Sequence, residues 1–173
     1  MVARQLGAKL LDAQVDNLTS MPSLEHKIPP PVIGALVAAA MWSVSALGPQ
    51  FPIASGPKYA AVAILAVAGV AFDLLGLLAF RAFRTTINPL KPERASAMVT
   101  SGVYRLSRNP MYVGMVLLLL AWAVNLSALL PFAGPPIFVL YITRFQIRSE
   151  ERVLKGIFGE EYSAYAARVR RWL

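Results

Sequence analysis

At 173 residues, with 57% hydrophobic residues and no cysteine, the chain holds one domain's worth of apolar sequence and excludes disulfides, thiolate nucleophiles and thiolate metal sites. Its formal net charge of +8 is crowded between and after long apolar runs. That segregation excludes an ordinary soluble domain, whose apolar content is roughly 45–50%. It fits a bilayer, where a helix of roughly 20 mostly apolar residues spans the core with its backbone hydrogen bonds satisfied internally.

Residues 1–28 read as a cytoplasmic leader, a surface helix or partly disordered segment, distinct from the domain at 29–173. A weak helical pattern of Leu6, Leu10, Val15 and Leu18 breaks at Pro22, without the apolar core and cleavage site of a signal peptide. Pro29, Pro30 and Pro31 lead into a first expected span at 32–47, whose Gly34, Ala35, Ala38 and Ala39 suit close helix packing. Gly48-Pro49, Pro52 and Gly56-Pro57 predict a compact turn. A second span follows at about 59–80, interrupted only by Asp73.

The stretch 81–109 is a polar connection carrying Arg81, Arg84, Lys91, Arg94, Arg105 and Arg108 against Glu93, and loops of such length are usually functional or disordered. Apolar runs at 110–124 and 128–145 are joined by an uncharged turn at Asn125 and Ser127. Each is short for a full span, which suits a tilted or partial helical hairpin. The expected fold is all-α: a polytopic membrane bundle of about four transmembrane helices, including this C-terminal hairpin, followed by cytoplasmic helices. Lys and Arg cluster in the leader, the 81–109 loop and the tail, which places both termini in the cytoplasm. Nucleic acid is not an expected partner, because the basic residues border the spans and no nucleic-acid motif is present.

Two polar stretches carry the candidate chemistry. In the first, at 101–114, Asn109 is a good N-cap and Pro110 suits the first helical turn. The free N–H groups there offer a place for an anion, or they merely cap a membrane helix. The second, at 144–165, extends the fourth span as a helix. Arg144, Arg148 and Glu151 or Arg152 share a face and are expected to pair, and Gly159 is placed to end the helix. Residues 162–172 read as a final amphipathic interfacial helix. Taken alone, Glu150 and Glu151 fit an ordinary salt-bridged surface helix.

Together the two stretches resemble the isoprenylcysteine carboxyl methyltransferase and phospholipid methyltransferase superfamily. That superfamily has Arg-His-Pro-x-Tyr-x-Gly before a helical hairpin, and Glu-Glu, Leu, Phe-Gly and spaced tyrosines after it. Here these are Arg108, Asn109, Pro110, Tyr112 and Gly114, then Glu150-Glu151, Leu154, Phe158-Gly159, Tyr162 and Tyr165. Asn88-Pro89 and residues 100–104 also look like bacterial members, and the resemblance covers 84–172. Asn109 stands where the carboxyl methyltransferases have His, and an amide cannot serve as a titrating base. The one histidine, His26, lies in the leader.

The resemblance implies an S-adenosylmethionine site open to the cytoplasm and a methyl acceptor that is lipid-like or amphiphilic: a carboxylate, amine or thiol entering from the inner leaflet. The implied cofactor set is Arg108, Asn109, Pro110, Tyr112, Tyr104, Arg148, Glu150 and Glu151, with no metal. Asp73, ionisable and inside a span, is with Glu150 a candidate for acting on the acceptor; the ordinary alternative is a helix–helix hydrogen bond to Ser45 or Asn125. The competing readings are an NADPH-dependent membrane reductase like the sterol and steroid reductases, and a non-catalytic membrane scaffold.

Overall fold

The computed structural model describes residues 28–82 and 98–173. The expectations for the leader, His26, Arg84 and Asn88-Pro89 lie outside those residues. The described chain is helical: α1 (Pro30–Val44), α2 (Ser55–Ala82), a 3-10 turn (Gly102–Arg105), α3 (Pro110–Leu126), a second 3-10 turn (Leu130–Ala133), α4 (Gly134–Ile142), a π turn (Thr143–Ile147) and α5 (Arg148–Arg168).

Proline placement explains the boundaries. Pro30, Pro110 and Pro131 sit in first turns, where a missing N–H costs nothing. Pro135 and Pro136 fall in the first turn of α4, so the run expected at 128–145 is not one helix. It begins as a 3-10 turn, becomes α-helical at Gly134, and passes through the π turn into α5. Gly159 breaks α5 with φ 54° and ψ −121°, a backbone shape open essentially to glycine alone. A short helix then runs to Arg168, and Val169 is extended, so the expected helix at 162–172 ends earlier.

The helices alternate in direction. Along α2, Gly69 faces Gly114 and Leu118 of α3 while Gly76 faces Met111 and Pro110, which makes the pair antiparallel. Gly34 and then Gly134 place α1 antiparallel to α4, through contacts with Phe138 and Met41. The close approach expected of the small residues of α1 is tighter between α2 and α3: a Cβ on Gly69 would lie 2.9 Å from the Gly114 carbonyl oxygen.

At one end, the α1–α2 connection pairs with the α3–α4 turn. Phe51 N–H donates to Ser127 O (3.0 Å) and Leu129 N–H to Pro49 O (3.0 Å). Ser127 takes the left-handed shape that closes this turn. The other end gathers the N-terminus of α3 and the start of α5. Ile33, Met41, Leu119, Phe138, Ile142 and Ile147 form the core between the helices, and the Trp122 indole N–H reaches Ala38 O at 3.1 Å. α2 is long and apolar enough to cross a membrane, and its outward face is bare, with Ile64 and Val67 each 69% exposed.

Candidate active site

The chain enters α3 through a corner, 107–110, held from several sides. Asn109 occupies the cap position, but its side chain makes no capping bond and instead donates through Nδ2 to Arg171 O at 2.9 Å. Its own backbone N–H is taken by Ser107 Oγ at 3.0 Å. Pro110 follows at the first helical position, so the helix starts where the sequence places it while the amide is spent elsewhere.

Within the first turn of α3, the Tyr112 hydroxyl donates to Glu150 Oε1 at 2.7 Å, and Gln146 Nε2 donates to the same oxygen at 2.9 Å. Burial raises the Glu150 pKa above its ordinary value, an effect these two donors partly offset and nearby Glu151 adds to. Gln146 belongs to the π turn and is buried, a polar residue the sequence offers no reason to single out.

Glu151 faces a different set. Arg108 Nη1 lies 3.1 Å from its Oε1, and Arg171 grips it with Nε at 2.9 Å and Nη2 at 2.7 Å. Paired, planar contacts of this kind are stronger and more directional than ordinary surface ion pairs. The Arg108 and Glu151 side chains are only 14% and 19% exposed. Arg108 Nη1 also donates to the Tyr162 hydroxyl at 3.1 Å, yet Arg108 Nε is buried with no partner among the described residues. Two guanidiniums against the single Glu151 carboxylate leave this part of the corner electropositive. An orphaned, buried donor in such a place fits a carboxylate-bearing ligand.

Tyr104 stands one contact away. Its carbonyl accepts from the Tyr165 hydroxyl at 2.8 Å, and its ring meets Phe80 edge-on with centroids 5.5 Å apart. Burial pushes the Tyr165 hydroxyl up to about 12 and raises that of Tyr104 as well, so both act as neutral hydrogen-bonding groups.

The structure thus brings together Arg108, Asn109, Pro110, Tyr112, Glu150 and Glu151, with Tyr104 close by. It leaves two expected residues outside. Arg148 is exposed, and Glu151 pairs with Arg108 and Arg171 rather than along its own helix. Asp73 abuts Gly114, two positions from Tyr112; at about 100° per residue that is the opposite face of α3. Its Oδ1 is buried without a partner among the described residues, so neither Ser45 nor Asn125 bonds to that oxygen. Arg171, like Gln146, belongs to this cluster and was passed over in the sequence reading. Its signal was faint, one arginine among three near the end of an apparently amphipathic helix.

Residues 57–161 match the phospholipid methyltransferase family. A probable protein-S-isoprenylcysteine O-methyltransferase of Oryza sativa is 32% identical over 121 residues, covering 67% of this chain and 60% of that protein. Protein-S-isoprenylcysteine O-methyltransferase B of Arabidopsis thaliana is 34% identical over 90 residues, 49% of this chain and 43% of that protein. An uncharacterized protein of Haemophilus influenzae matches along its whole length, 48% identical over 63 residues or 36% of this chain. The chain therefore spans about three-fifths or less of the plant relatives it matches. The family match takes in α2, α3, α4 and most of α5, including both halves of the polar cluster, and the chain belongs to the phospholipid methyltransferase family, in the superfamily of the isoprenylcysteine methyltransferases.

Proposed function

We propose that this methyltransferase binds S-adenosylmethionine at the Arg108–Glu150–Glu151 corner and methylates a lipid-like or amphiphilic acceptor at a membrane surface. The observation that carries the reading is Arg108, held on one nitrogen by Glu151 and Tyr162, with its buried Nε unmatched among the described residues. That donor suits the carboxylate of the cofactor's amino-acid end. The second oxygen of Glu150 suits its ammonium or a ribose hydroxyl, while Tyr112 holds the first. The Tyr112 ring offers an aromatic face to a cation.

When bound, the cofactor would supply an electrophilic methyl on a sulfonium, so that the acceptor's lone pair forms the new bond in line as the methyl–sulfur bond breaks and the thioether departs. The protein's share is then positioning and exclusion of water. Asn109 has no titratable proton, and its N–H donor is committed to Arg171 O. The cluster therefore favours acceptors that arrive deprotonated, a carboxylate or thiolate over a protonated amine. The exposed apolar face of α2 supports a membrane setting. The α1–α2 and α3–α4 connections share one end, near which Lys58 is the charged residue, whereas Arg81, Arg105, Arg108, Arg144 and Arg148 belong to the other. By the positive-inside rule the site opens to the cytoplasm, and the acceptor enters from the inner leaflet.

Calorimetry of the detergent-purified protein tests this. Saturable S-adenosylhomocysteine binding is expected, weakened about 10- to 100-fold in Glu150→Gln by the loss of a charged hydrogen-bond partner. Binding of NADPH alone would replace the reading with a reductase; binding of neither by folded protein would leave a scaffold.

Glu150→Gln also carries a stability prediction. Burial raises the Glu150 pKa, so the folded protein holds that proton more tightly than the unfolded chain does. Wild-type stability accordingly falls as pH rises from the ordinary carboxylate range through the raised folded value. Glutamine keeps an acceptor for Tyr112 without that cost. The variant should melt above wild type at pH 8, and the difference should narrow toward pH 4. Identical melting curves at pH 8 would show that burial does not penalise the carboxylate.

A further inference from the structure

Beyond Arg168 the chain turns extended and lies across the entrance to α3. Arg170 O accepts from the Arg108 backbone N–H at 2.9 Å. Arg171 O accepts from Asn109 Nδ2 at 2.9 Å and from Ser107 Oγ at 3.3 Å. The Arg171 guanidinium holds Glu151 through two nitrogens, and the Trp172 indole N–H donates to Thr143 Oγ1 in the π turn at 3.2 Å. This short segment ties the corner before α3 to the π turn and the first turn of α5, some forty residues further along the chain.

We infer that residues 169–173 are a strap that holds the cofactor corner in its binding shape, with Arg171 as its positioning residue. This rests on the cofactor reading above. The corner needs such support because only a single 3-10 turn precedes it among residues 98–109, and the Arg108 backbone N–H, outside any helix, finds its acceptor in the Arg170 carbonyl. The rigid fork of Arg171 fixes the plane of the Glu151 carboxylate, and that carboxylate in turn aims Arg108. The strap also accounts for the residue at position 109. Arg171 O asks for a side-chain donor there, which asparagine and histidine both provide. Asn109 in place of histidine thus preserves the tether while removing a titrating group.

The test combines S-adenosylhomocysteine calorimetry with hydrogen exchange of the Arg108 amide in the full-length, detergent-purified protein. Arg171→Gln should weaken binding at least tenfold and accelerate exchange at Arg108, and Arg171→Lys, which keeps charge but not the fork, should recover only part of each. Asn109→His should retain more affinity and protection than Asn109→Leu. Unchanged affinity and exchange in Arg171→Gln would overturn the strap. So would a lowered melting temperature with affinity intact, which would make the tail a stability element alone. A wild-type protein that protects Arg108, loses that protection in Arg171→Gln and binds no S-adenosylhomocysteine would keep the strap and remove the cofactor reading.

Discussion

Replacing Gly114 with alanine is expected to force α2 away from α3 and cost about 2–3 kcal/mol, the upper part of the range for overpacking a tight contact. A Cβ there would lie 2.7 Å from both the Asp73 Cγ and the Gly69 carbonyl oxygen. The carboxylate can rotate; the backbone carbonyl cannot. Asp73→Ala in the same background should therefore recover only part of the loss. The effect reaches the site as well, because α3 carries Tyr112, and a displaced α3 lengthens its 2.7 Å bond to Glu150. Gly156→Ala is the control: a Cβ at that helical position meets nothing within 4 Å, so helix propensity alone should stabilise by roughly 0.5–1 kcal/mol. Equilibrium unfolding of the purified variants measures both. A Gly114→Ala protein as stable as wild type would mean that the α2–α3 crossing opens without penalty.

Arg108→Lys is the second large effect, and it should fall on binding rather than folding. The guanidinium is called on in three directions at once: Glu151 and Tyr162, each at 3.1 Å, and the unmatched Nε. A single ammonium on a flexible stem cannot reproduce that fork. Glu151 nevertheless keeps Arg171 at 2.7 and 2.9 Å, so no buried carboxylate is stranded. The expected result is a loss of S-adenosylhomocysteine affinity on the order of 100-fold with a melting temperature close to wild type. Retained affinity would remove Arg108 from the site. A collapse in melting temperature without specific loss of binding would make it a structural ion pair.

The sequence by itself determined the helical nature of the chain, because long apolar runs punctuated by Pro and Gly leave few other ways to satisfy a backbone. It also determined the helix start at Pro110, the break at Gly159 and the family, since these rest on local backbone preferences and on motif order, whereas α1 begins at Pro30, two residues ahead of the expected span. Which residues of the polar stretches meet was a different matter. Glu150 and Glu151 are adjacent in sequence, yet one faces Tyr112 and Gln146 while the other faces Arg108 and Arg171, because neighbours on a helix point about 100° apart and find different elements. Arg148 looked like a partner at helical spacing and was passed over for arginines 43 and 20 residues away from Glu151 in the chain. Asp73 fell behind α3, away from Tyr112, by the same angular reasoning applied to Gly114. The extended tail, and with it the role of Arg171, depended on acceptors offered to the Ser107–Asn109 corner by residues more than sixty positions later. Local preference is written residue by residue, but long-range pairing depends on which faces the packed helices turn toward one another, and only the tertiary structure decided that.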